Sequence, residues 1–142
     1  MSRSLSFIIP KEEWLTSNGR YHHMDKARRT RTLRHKAYIS ALQALHSGEL
    51  THYDVLPLLV IQVGYSSRRR ADPPNAYPTV KALIDGCTDA GLWDDDNSDI
   101  IHSCLFTRNK EKAPTGCYTI TFTFISHHVP FYDGERWSNI TL

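Results

Sequence analysis

Apolar positions along the chain change period from segment to segment, and each period predicts a different element. "LSFII" is a short apolar run stopped by Pro10 and predicts a first strand; "WLTSNGRYHHMDK" has no period and reads as a loop around an Asn-Gly turn. From about Arg28 to His46, Tyr38, Leu42 and Leu45 recur at helical spacing, and Gly48 follows as a stop. "VLPLLVIQVGY" is continuous rather than alternating, which predicts a strand buried on both faces, with Pro57 in its early part. After a turn at Asp72–Asn75, Pro78 suits a first helical turn, and Val80, Leu83, Ile84 and Cys87 follow the i, i+3, i+4, i+7 rule. Lys81, Asp85 and Asp89 then share the polar side of that helix, which Gly91 ends. "DIIHSCLFTRN" and "CYTITFTFI" read as two antiparallel strands joined by the polar loop "KEKAPTG". In the latter, Tyr118, Ile120, Phe122 and Phe124 alternate with threonines, as in a sheet covered on one face. The fold class expected is α+β: one small domain over residues 1–142, with a roughly four-stranded mixed sheet and two main helices.

Composition agrees with one domain, since 142 residues with 40% hydrophobic content suffice for one core. No apolar run approaches the roughly eighteen residues of a membrane span, and the start of the chain lacks a secretory pattern, so the expected compartment is the cytoplasm. Cys87, Cys104 and Cys117 form no CxxC pair and read as small core residues; "NIT" at Asn139 reads as an accidental sequon. The tail from about residue 127 to 142 carries Phe131, Tyr132 and Trp137 without periodicity, which suits docking on the domain or on a partner subunit. Trp93 reads as a core or interface anchor. The adjacent histidines His22/His23 and His127/His128 invite a metal reading, but neighbours in extended chain point apart, and surface positions are the commoner explanation.

Charge is blocked along the chain, which a formal net charge of +2 conceals. Arg20 to Lys36 holds seven Lys/Arg (Arg20, Lys26, Arg28, Arg29, Arg31, Arg34, Lys36) against Asp25 alone, and Arg68, Arg69 and Arg70 form a second basic block. Asp85 to Asp99 then supplies six acids and no basic residue. Basic blocks suit a phosphate backbone, and an acidic block repels one unless cations sit on it. Solvated surface is the competing account of each block. Carboxylates at Asp72, Asp85 and Asp94–Asp96, without His or Cys, would offer hard oxygen ligation for Mg²⁺ or Mn²⁺ if their loops converge.

The run "RRRADPPN", "KALID", "DAGLW" and "DDDNSD" resembles the signature of the RusA-type Holliday junction resolvases, crossover junction endodeoxyribonucleases of bacteria and their phages. That signature is a basic run, Asp-x-x-Asn, a helix with Lys-x-x-x-Asp, Ala-Gly, a bulky residue and paired aspartates. The similarity is strongest over about residues 68–101, and "SNGRYHH" resembles the family's Ser-Asn-x-x-Tyr loop. The resemblance implies a homodimer, in a bacterial cell or phage-infected host, that binds four-way DNA junctions and nicks two strands symmetrically with Mg²⁺. It implies no small organic cofactor and no membrane partner. It carries the catalytic roles onto Asp72, Lys81 and Asp96, with Asp95–Asp96 or Asp94–Asp95 as the aspartate pair, and metal ligation onto Asp72, Asp85, Asp95, Asp96 and Asn75. Arg20, Arg28, Arg29, Arg31, Arg68, Arg69 and Arg70 become the expected DNA contacts.

One departure matters. Pro74 stands where the best-known form of the motif has a second aspartate, and extra residues separate Asn75 from Lys81. Either Asn75 or Asp85 replaces the missing ligand, or the metal is held more weakly, or catalysis is lost. The expected function is therefore a metal-dependent junction endonuclease. The alternatives are a catalytically weak or inactive junction-binding protein of the same fold, and a small interaction domain without DNA affinity.

Overall fold

The computed structural model describes residues 3–132 and 134–141. Its main sheet has four strands: β1 (Arg3–Pro10), β2 (Leu56–Gly64), β3 (Ile101–Arg108) and β4 (Cys117–Ile125), in the spatial order β1-β4-β2-β3. Two helices, α1 (His23–Ser47) and α2 (Tyr77–Asp89), and a short 3-10 turn, Pro73–Ala76, complete the domain. The expected α+β class and mixed four-stranded sheet are present. The tail adds a separate antiparallel ribbon, β5 (His128–Tyr132) with β6 (Trp137–Thr141). The side chains of His128, Phe131, Tyr132 and Trp137 lie outside the described residues.

β3 and β4 do not form the expected hairpin. β3 runs parallel to β2 at one sheet edge, and β4 lies between β1 and β2, antiparallel to both. A parallel pair needs a crossover, and α2 supplies it between β2 and β3. The loop 109–116 therefore has to step over the end of β2, and two backbone bonds fasten it there: Asn109 N–H to the Val63 carbonyl (2.9 Å) and Ala113 N–H to the Tyr65 carbonyl (3.0 Å). Polar alternation cannot tell a hairpin loop from one that crosses a strand end.

One face of the sheet carries the core: Phe7 and Ile9, Leu59, Ile61 and Val63, Ile120, Phe122 and Phe124 are all buried. Trp93 is fully buried with them, as its sequence position suggested. β2 is not buried on both faces, since Leu58, Val60 and Gln62 are half-buried on the side without helices. Its continuous apolar run reflects a central position, with a neighbouring strand on each side. Pro57 lies between Leu56 and Leu58 without a ladder partner.

α1 begins at His23 rather than near Arg28, because His22 Nδ1 accepts the Met24 N–H (3.2 Å) and Asp25 lies in the first turn. Its buried stripe is Leu33, Ala37, Ala41 and Ala44, while Leu42 is exposed. Small residues are required because the two helices touch: a Cβ on Gly86 would stand 2.1 Å from the Arg34 carbonyl oxygen and 2.8 Å from the Ala37 Cβ. α2 buries Val80, Leu83, Ile84 and Cys87 as the periodicity predicts. Of the cysteines only Cys87 is a core residue, with burial pushing its thiol up to about 12; Cys117 is half-buried and Cys104 is exposed. No helix among the described residues is long and apolar enough to cross a membrane.

Candidate active site

β2 ends at Gly64 and delivers the chain to Tyr65 and the three arginines, then to Asp72 and the 3-10 turn. Pro73 and Pro74 suit that turn, where fixed φ is wanted and a missing N–H does no harm. Asn75 closes it twice on Asp72, with its N–H on the Asp72 carbonyl (3.0 Å) and its Nδ2 on the carboxylate Oδ2 (3.2 Å). The loop after β1 is drawn to the same place. Ser17 N–H donates to the Asn75 carbonyl (2.9 Å), and buried Thr79 both donates to the Leu15 carbonyl (2.7 Å) and accepts the Leu15 N–H (2.8 Å). Between them lies a cleft of about 660 Å³, bordered by Asn18, Tyr65, Arg69, Arg70, Asp72 and Asn75. Trp14 and Tyr118 stack in parallel at 4.1 Å in its wall. The Ser-Asn loop and the Asp-x-x-Asn turn, more than fifty positions apart, thus border one cavity.

A second polar group lies along α2. Lys81 Nζ donates to Asp85 Oδ1 one turn away (2.8 Å) and to Asp96 Oδ2 in the loop after the helix. The two carboxylates raise the Lys81 pKa, Asp85 first, and the ammonium in turn holds the Asp96 carboxyl below its ordinary value. Both carboxylates therefore favour the charged form of Lys81. Asp89, expected beside them, instead forms a two-pronged pair with Arg34 of α1 at 2.5 and 2.8 Å.

The three consecutive aspartates have different surroundings. Asp95 turns both oxygens onto its own loop, accepting the Asp96 N–H (2.7 Å) and Asn97 Nδ2 (3.1 Å). Asp94 is exposed and lies 3.6 Å from His52. Only Asp96 reaches α2. Of the five positions expected to bind metal, Asp85 and Asp96 converge on one cationic point, and Asp72 and Asn75 form a separate pair. Two carboxylates with water suit Mg²⁺, so the donors at Asp85 and Asp96 fit in kind, with the Lys81 ammonium between them. Among the described residues no three His, Cys, Asp or Glu side chains are grouped to hold a metal ion, and His22, His23 and His127 are exposed.

The expected DNA-contacting arginines divide into two sets. Arg28 and Arg29 both pair with Asp25 (2.5 and 2.9 Å), and Arg29 also donates to the Trp14 (2.9 Å) and Lys11 (3.3 Å) carbonyls and lies 5.1 Å from the centre of the Tyr21 ring. Arg20, Arg31, Arg68, Arg69 and Arg70 are exposed and have no carboxylate partner among the described residues. Arg108, Lys110 and Lys112, which carry no motif and read in sequence as ordinary polar positions, border an adjoining cleft with Arg68. The β2–β3 register places Arg108 opposite Val63, and the crossing of the 109–116 loop over the end of β2 brings the two lysines, so no local signal marks them. No family model matches this chain, and no curated protein matches it. The likeness to the RusA-type resolvases rests on the motif residues alone.

Proposed function

We propose that the protein is a Mg²⁺-dependent endonuclease of branched DNA, acting on four-way junctions as a homodimer. The observation that supports this reading best is the cleft at the end of β2, where Arg69 and Arg70 border the same cavity as Asp72, Asn75 and Asn18. Unpaired guanidinium groups suit phosphate oxygens, and a carboxylate steadied by Asn75 suits a metal or a water beside them. Asp96 with Asp85 would hold Mg²⁺, and Asp72 with Asn75, a separate pair, would hold a water or a further ion; the ion, when bound, would supply positive charge beside the scissile phosphate. Lys81, kept charged by its two carboxylates, offsets negative charge that builds on the phosphate. Two copies provide the two sites that symmetric nicking requires.

A second reading has its own support. The Lys81 ammonium stands where Asp85 and Asp96 converge, and Pro74 occupies a position that is acidic in the motif's best-known form. A protein built this way binds junctions without consuming them. One experiment separates the readings: a labelled mobile four-way junction and a matched duplex are incubated with the purified protein, with Mg²⁺ or with chelator. The nuclease gives paired nicks in the junction with metal only, and the second reading gives a retained complex with no nicks. Absence of any salt-dependent complex would favour the interaction domain.

A further inference from the structure

A second cleft, of about 420 Å³, adjoins the first, bordered by Tyr65, Arg68, Arg108, Lys110, Glu111 and Lys112. Tyr65 and Ser67 border both cavities, so the tyrosine stands on the divide. Four cations face one acid here, and none of the four has a carboxylate partner among the described residues. They are not loosely strewn. Arg108 Nη2 donates to the Ser67 carbonyl (3.1 Å), and its guanidinium lies 5.4 Å from the Tyr65 ring centre. The loop that carries the lysines is fastened to Val63 and Tyr65, and Glu111 N–H donates to Asn109 Oδ1 (3.0 Å). The Tyr65 phenol, pushed up mainly by burial, also responds to Arg108 and to Asp72, one from each cleft. Backbone bonds that hold like charges together leave repulsion for a polyanion to relieve.

We infer that this second cleft is a DNA-binding site of its own, taking phosphodiester backbone beyond the stretch held in the first cleft. It lacks the Asp72–Asn75 pair, so the strand it holds is gripped rather than cut. The inference rests on the DNA-cleaving reading of the first cleft but concerns binding alone. Junction held as a second arm and backbone of the same duplex share one chemistry, and the choice of DNA distinguishes them.

The test is affinity for a four-way junction and for a matched duplex, across a salt series with chelator present, in wild type and in the Lys110→Gln/Lys112→Gln double variant. Both lysines are exposed, and equal melting temperatures verify the fold. The expected result is a log affinity versus log salt slope shallower by about 1.8 units per bound protomer in the double variant, on the junction alone if the cleft holds a second arm and on both DNAs if it continues one duplex. Glu111→Gln, which removes the single acid, should strengthen the same complex. Unchanged slopes in the double variant together with unchanged affinity in Glu111→Gln would overturn the site. Wild-type binding without nicking in the Mg²⁺ assay would overturn the nuclease and leave this site standing, whereas a wild type that binds no DNA would overturn both.

Discussion

Two parts of the molecule are strongly basic, and they treat their charge in opposite ways. On α1, Arg28 and Arg29 share Asp25, Arg34 grips Asp89 of α2, and Lys36 reaches Glu13 (2.7 Å) and the Ile8 carbonyl (3.1 Å) at β1. At the end of β2, Arg68, Arg69, Arg70, Arg108, Lys110 and Lys112 have no carboxylate partner among the described residues. The helix uses much of its charge to fasten the fold, and the strand end leaves its charge without a carboxylate among the described residues. The density of Lys and Arg along a sequence therefore says little about which of them a polyanion can reach.

The widest separation between the regions lies in chemistry. Asp72→Asn and Asp96→Asn should each abolish junction nicking while leaving gel-shift affinity equal or higher, since one removes a negative charge at the end of β2 and the other removes one beside Lys81. Full nicking by either variant would dismiss the assigned site, whatever the binding shows.

Affinity separates them next. Arg69→Gln/Arg70→Gln should make the salt slope of junction binding shallower by about 1.8 units per bound protomer, with the melting temperature unchanged. Arg28→Gln/Arg34→Gln, with the same loss of charge, should move the slope far less. Equal shifts in the two double variants would erase the contrast and return the α1 arginines to the DNA interface.

Stability supplies the converse. Arg29→Ala removes donors from a carboxylate and two carbonyls at a mostly buried position, so denaturant unfolding should lose about 1.5–3 kcal/mol. Its salt slope should hardly change.

The smallest effect is in acid. Arg34 holds the Asp89 carboxyl below its ordinary 3.8, so the pair stabilises the fold above that value and fades as pH falls through the lowered one. Melting curves taken from pH 5 downward should show wild type losing this increment below about pH 4, and Asp89→Asn, which never has it, declining less over that window. A parallel decline would mean that Arg34 and Asp89 do not couple to folding.

Much of the fold is legible in the sequence where one period governs a whole element. α2 and β4 are of that kind: Val80, Leu83, Ile84 and Cys87, and Ile120, Phe122 and Phe124, are buried as their spacing requires. α1 is harder, because its buried stripe is mostly alanine and the larger Leu42 faces outward, so the residues that look most hydrophobic are not those at the helix contact. The pairing of β3 with β2 is illegible locally, since a crossover and a hairpin leave the same alternation in each strand. At the site, Lys81 with Asp85 is readable from an i, i+4 spacing, and the third member, Asp96, only from the motif. Arg108, Lys110 and Lys112 could not be read at all, for their neighbours Tyr65 and Arg68 follow the adjacent strand β2, about forty positions earlier in the chain.

The place of β4 in the middle of the sheet also sets an order in time. β1 has no strand partner until β4 arrives, because Arg3 pairs with Phe124 and Pro10 with Cys117 across nearly the whole chain. A ribosome releases residues from the N-terminus, so a chain that has emerged as far as α2 already carries the arginines of α1 and of the 68–70 run but no completed sheet. Closing so long a loop is slow relative to helix formation. The two clefts at the end of β2 come into being only when residues 109–125 step across it, so a nascent chain carries most of the basic charge of the finished protein well before either proposed DNA site exists.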